Sequence, residues 1–130
     1  MLIRPLQLTE HFALAEFACN DGTVVPDKYL YNAWQLALNL EVLRAQLVRP
    51  VTINSGYRTA AYNASVGGVA SSQHLTCRAA DIVVPSVPPE VVADTIEALI
   101  SRGLMHNGGI GRYSTFTHYD VRPLPARWKG

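Results

Sequence analysis

Two short polar segments constrain this chain more than any other feature: Ser72-Gln73-His74-Leu75-Thr76-Cys77-Arg78-Ala79-Ala80-Asp81 and Thr117-His118-Tyr119-Asp120. His74 and Asp81 lie seven residues apart. A helix would separate them by roughly 10 Å, too far for one ion to touch both. If they act together, a turn folds between them. The second segment has the period of a strand, with Phe116, His118 and Asp120 alternating against Thr117, Tyr119 and Val121. On a strand, His118 and Asp120 point to one face. Two imidazoles and a carboxylate are the donor set of a catalytic zinc that keeps one position open. A ligand with a carboxylate beside it is what metal-assisted hydrolysis needs. Spacing alone does not decide the matter. In an arbitrary chain with four His and ten acidic residues, unrelated side chains would be the expected reading.

The wider pattern shifts that balance. Ser72, His74, Ala79 and Asp81 spell Ser-x-His-x-x-x-x-Ala-x-Asp. Ile53-Asn54-Ser55-Gly56-Tyr57-Arg58-Thr59, Tyr62-Asn63 and Val66-Gly67-Gly68 come before His74, and Phe116-Thr117-His118-Tyr119-Asp120-Val121-Arg122 comes after Asp81. This order resembles the zinc D-Ala-D-Ala carboxypeptidases and the phage and bacterial peptidoglycan endopeptidases related to them, whose fold Hedgehog signalling domains share. The resemblance runs from about Phe12 to Pro123. It implies one zinc held by His74, Asp81 and His118, and a peptide of peptidoglycan as substrate. It also implies that Arg58 contacts the substrate carboxylate or the developing oxyanion. A guanidinium suits both, being always charged and forked. Ser72 resembles a serine that hydrogen-bonds substrate; bracing the turn under His74 is an equal alternative.

Two positions depart from the family pattern. Cys77 stands where the family usually has Gly, and is read as a small buried side chain with an inert thiol, neither ligand nor nucleophile. Many members place an acid three residues before the second His; here that residue is Thr115. Another branch carries His-x-Asp, matched by His118 and Asp120, so Asp120 is the candidate general base. Its rival role is to orient His118 or to pair with Arg122. The enzyme reading is a D,D-carboxypeptidase or an endolysin-like endopeptidase. The alternative from another class is a non-catalytic cell-wall-binding module of the same fold.

Composition limits other classes. The 130 residues suit one domain, 1–130, with a modest core. A hydrophobic fraction of 48% with 16% charged residues reads as globular. A net charge of +1 with scattered basic residues argues against a nucleic-acid partner. No apolar run reaches the length of a membrane span. Met1-Leu2-Ile3-Arg4-Pro5 lacks the charged leader and apolar core of a signal peptide. The expectation is action at the cell wall after phage-type release, injection or prior processing. Cys19 and Cys77 allow one disulfide but no framework. Nothing in the sequence sets an oligomeric state.

Periodicity supplies the elements. Residues 1–26 read as irregular, with a short helix in 11–17 that packs two aromatics. Leu30, Ala33, Trp34, Ala37, Leu40, Leu43 and Leu47 make a helical stripe between Asp27 and Val48, with Trp34 as core and Pro50 as stop. Strands are expected at 51–55, 79–84, near Ile110 and at 116–121. Short and long helices are expected at 59–65 and from Pro88 or Pro89 to about Arg102, with Gly103 as C-cap. The tail from Pro123 reads as irregular. His11 is structural or exposed, and His106 exposed. Tyr57, Tyr113 and Tyr119 either line a cleft or pack at the sheet edge. The fold class is α+β, helices packed on a small antiparallel sheet.

Overall fold

A computed structural model describes residues 6–130. The reading of Met1–Pro5 lies outside the described residues. Three helices, α1 (Leu30–Leu47), α2 (Ala60–Ser65) and α3 (Pro89–Ser101), accompany five strands. These are β1 (Thr52–Ser55), β2 (Ala79–Val83), β3 (Gly109–Arg112), β4 (Thr117–Asp120) and β5 (Ala126–Lys129). The α+β class holds. No described helix is long and apolar enough to cross a membrane.

Helix α1 forms where the stripe predicts, after one 3-10 turn at Asp27–Tyr29. It buries Ala33, Leu36, Ala37, Leu40 and Leu43. Each fully buried leucine there contributes about 1.5–3 kcal/mol. Trp34 is a correction: it is 43% exposed and packs on Tyr31 at the rim. Leu36 takes the core position instead. The helix ends as Val48 turns left-handed, two residues before Pro50. Helix α3 begins with Pro89 in its first turn and buries Val92, Ala93, Ile96 and Leu99. It packs on β3, β4 and α1. Near the N-terminus the short helix is a 3-10 turn, Leu14–Phe17, and Phe12 and Phe17 pack 6.2 Å apart.

The sheet order is β1-β2-β4-β3-β5. The first four strands pair antiparallel, but β5 runs parallel to β3. The sheet is therefore mixed, and the tail expected to be irregular supplies its edge strand. Pro123 and Pro125 precede that strand rather than break it, since neither must donate within its ladder.

Strand alternation divides the sheet into two faces. Ala80, Ile82, Ile110 and Tyr119 enter the core. On the other face, registers align one row across all five strands: Ser55, Asp81, His118, Gly111 and Trp128. That row carries the site.

Candidate active site

Asp81 and His118 are direct partners on neighbouring strands. His74 reaches the same point from a 3-10 turn, Gln73–Thr76, that closes the seven-residue gap. Ser72 caps this turn, its Oγ accepting from the His74 N–H at 3.2 Å. Cys77 then takes φ 58°, left-handed backbone that favours glycine. That conformation is the physical reason a family with this turn prefers Gly. The Cys77 thiol is fully buried, and burial pushes its pKa up to about 12. Cys19 is buried as well, and the two cysteines are free.

Each imidazole is anchored on its far nitrogen. The His74 Nδ1–H donates to the Gly56 carbonyl at 2.7 Å, leaving Nε2 to face Asp81 Oδ1 at 3.3 Å. Gly56 itself packs against the Phe17 backbone, which a Cβ there would meet at 2.8 Å. His118 turns Nε2 to Asp120 Oδ2 at 2.7 Å and Nδ1 to Asp81 Oδ1 at 3.1 Å. The rings stand 5.2 Å apart, nearly perpendicular. The ligand atoms of His74, Asp81 and His118 lie within 4.8 Å of one another, and all three residues are buried. Two nitrogen lone pairs and a carboxylate converging in this way fit a zinc ion with an open position.

The surrounding charges reinforce the carboxylate. Burial alone would raise the Asp81 pKa, but hydrogen bonds to His118 and His74 outweigh it and hold the group below the usual carboxylate range. Burial likewise opposes charge on His118, yet its bonds to Asp120 and Asp81 raise its pKa. Arg58 donates to Asp81 Oδ2 at 3.2 Å, to Ser55 Oγ at 3.2 Å and to Asn63 Oδ1 at 3.3 Å. Three of its five N–H groups are thus spent on the protein, and two remain.

Asp120 is the candidate base, with orienting His118 or pairing with Arg122 as its rival role. It does share the face of His118, but it is fully buried. Oδ1 accepts from Gly109 N, Arg122 N and Arg122 Nε at 2.8–3.1 Å. Oδ2 accepts from His118 Nε2 and Arg122 Nη2, each at 2.7 Å. Burial would raise its pKa, but the bonds to His118 and Arg122 keep it below the usual range. These bonds tie Asp120 to the Nε2 side of the His118 ring and to Arg122.

These groups open into a cleft of about 560 Å³ bordered by Arg58, Ser72, the Val66–Val69 loop, Tyr113, Phe116 and Trp128. Asp81 is the one carboxylate on that border among the described residues. Thr115 is exposed on the β3–β4 turn. Tyr113 therefore lines the cleft, whereas Tyr119 is core and Tyr57 is buried beside Tyr29. His106 is half-buried, not exposed, and bonds the Arg122 carbonyl at 2.6 Å. His11 bonds Glu41 at 2.7 Å, remote from the cleft border.

Sequence reasoning missed Trp128 and the tie made by Asn63. Buried Asn63 joins Arg58 to the Val69 carbonyl. Trp128 lies over Gly111 and packs on the His118 ring, 4.8 Å between centroids. A Cβ at residue 111 would meet the indole at 2.6 Å. The available signal was the alternation of Ala126 and Trp128 after the prolines.

A mixed α+β sheet carrying buried His, Asp and His donors at the mouth of a cleft defines a metal-dependent hydrolase scaffold. Residues 9–120 match the model of the Peptidase M15 family, and the chain belongs to that family of zinc D-Ala-D-Ala carboxypeptidase-like metallopeptidases. No curated protein matches the chain.

Proposed function

We propose that the protein is a zinc peptidase of bacterial cell-wall peptides, cutting a bond that involves a D-amino acid, with His74, Asp81 and His118 as the only protein ligands of one zinc. The observation that carries this reading is the row Asp81–His118 met by His74 beneath a cleft that Arg58 also borders. The chemistry zinc supplies when bound is Lewis-acid activation of water and of the peptide carbonyl. Arg58 turns its two unspent N–H groups to a carboxylate or to the carbonyl oxygen as charge builds there. Ser72 braces His74 and keeps its own hydroxyl hydrogen for substrate. Asp120 and the Gly56 carbonyl hold the two imidazoles in the tautomers that ligation needs. The protein would act at the cell wall, whichever route delivers it.

One observation supports a second reading, a wall-binding module that retains the metal: Thr115 replaces the usual acid, and Asp81 is the only carboxylate on the cleft border among the described residues. The two readings part on one experiment. The zinc-loaded protein is incubated with purified peptidoglycan, and soluble muropeptides are analysed by mass spectrometry. New termini at one bond support the peptidase and name the bond, separating carboxypeptidase from endopeptidase. Zinc at one equivalent with wall binding and no new termini supports the module.

A further inference from the structure

Tyr113, just after β3, and Trp128, on β5, border the cleft toward the other end of the sheet from β1 and Arg58; this wall has no assigned chemistry, and one polar group on it is only half used. Tyr113 and Phe116 flank the β3–β4 turn and stack at 4.3 Å with planes 12° apart. This stacking fixes the Tyr113 ring. The Trp128 Nε1–H donates to the Tyr113 hydroxyl at 2.9 Å. An indole nitrogen can only donate, so this bond occupies the oxygen and leaves the phenolic hydrogen free. No acceptor among the described residues takes that hydrogen, while the side chain borders the cleft that holds the three ligand residues. Trp128 in turn rests on His118 and under the Arg122 guanidinium, which lies 5.1 Å from its ring. The hydroxyl is therefore positioned by a rigid chain of contacts that starts at a ligand residue. A donor polarised by an accepted N–H bond and held without reorganisation is what stabilises charge developing on a carbonyl oxygen.

We propose that Tyr113 is a catalytic hydrogen-bond donor to the carbonyl oxygen of the scissile peptide, acting from this wall of the cleft, with Trp128 as its positioning residue. The proposal rests on the peptidase reading and concerns hydrogen bonding alone, with no proton transferred.

The test is Tyr113→Phe, which keeps the ring and its stacking. Three quantities are measured in zinc-loaded wild type and variant: zinc content, kcat and KM on isolated muropeptides, and the Kd of a phosphinate analogue of D-Ala-D-Ala. Its tetrahedral oxygens stand in for the developing oxyanion. The variant should keep one zinc and a KM within about threefold, lose roughly 100-fold in kcat, and bind the phosphinate at least about tenfold more weakly. Trp128→Phe, which removes the N–H that aims the phenol together with part of the ring that packs on His118, should give a smaller loss in the same direction. Loss of zinc in Tyr113→Phe would show a structural role and overturn the assignment. Equal phosphinate affinities in wild type and variant would overturn it whatever the wild type cleaves. A wild type that cleaves no muropeptide but binds the phosphinate more tightly than the variant would remove the peptidase reading while leaving Tyr113 as a carbonyl-directed donor.

Discussion

Asp81 and Asp120 are two carboxylates on either side of one imidazole. Each is buried, each is held below the usual carboxylate range by hydrogen bonds, and each is paired with an arginine. They differ in what their remaining lone pairs can reach. Asp81 turns Oδ1 toward His74 Nε2 and His118 Nδ1 and borders the cleft. Asp120 turns both oxygens into donors from Gly109, Arg122 and the far side of His118. The lesson is that the strand period predicts which face a side chain shares but not how far its polar atoms lie from solvent. A carboxylate can share a strand face with a candidate metal ligand and still turn both its oxygens into protein donors.

The most severe way to break the comparison is to neutralise each carboxylate in turn. Asp81→Asn should lose stoichiometric zinc and all measurable turnover, because it removes a ligand and leaves Arg58 unpaired. Asp120→Asn should retain a zinc site weakened about 10–100-fold, and activity should return when zinc is added in excess. Its folding stability should fall by about 3 kcal/mol, since Arg122 and the Gly109 N–H lose a buried charged partner. Metal analysis after dialysis, urea unfolding and a zinc titration of activity measure these three outcomes. An Asp120→Asn variant that stays fully zinc-loaded yet inactive would return the base role to Asp120.

Much of this asymmetry was not legible in the chain. The His/Asp/His set was, because its motif names the residues and strand alternation places His118 beside Asp120. The turn between His74 and Asp81 was required by distance alone. Helix α1 was legible from its stripe, but Trp34 has apolar bulk at a rim position, and only tertiary packing chooses Leu36 over it. What fills the Asp120 lone pairs is partly local, from Arg122 two residues on, and partly the Gly109 N–H, which only the pairing of β3 with β4 brings there. Trp128 was hidden because a four-residue parallel edge strand has almost no local signal, and two prolines argued against it. The left-handed Cys77 was foreshadowed only as a departure from Gly, without its cause.

The arginine partners sharpen the comparison at intermediate cost. Arg58→Ala should lower kcat about 100-fold, as loss of one oxyanion donor does. Its bonds to Ser55 and Asn63 mean that the melting temperature should also fall by a few degrees, so Arg58 serves the fold as well as the cleft. Arg122→Ala should show the reverse weighting. Stability should drop by about 1–3 kcal/mol, while kcat at saturating zinc stays within about threefold. Paired melting curves and kinetics on muropeptides decide this. Equal kcat losses in the two variants would mean that Asp120 is coupled to the reaction after all.

The smallest effect concerns the turn that lets Asp81, rather than Asp120, meet both imidazoles. Cys77 holds φ 58° between the His74 turn and β2, and its side chain is fully buried. At ordinary positions alanine is more stable than glycine by about 0.5–1 kcal/mol, because glycine has more backbone freedom to lose. In the left-handed region a Cβ costs about 1–2 kcal/mol. Both substitutions remove the same sulfur, but glycine also gives up the buried Cβ, which is worth up to about 0.8 kcal/mol. Cys77→Gly should therefore be at least as stable as Cys77→Ala in urea unfolding, reversing the usual order. Zinc content should remain at one equivalent in both, since the thiol takes no part in ligation. If alanine proved the more stable, the left-handed turn would not be what closes the gap from His74 to Asp81, and the exposed lone pair of Asp81 would need another origin than this turn.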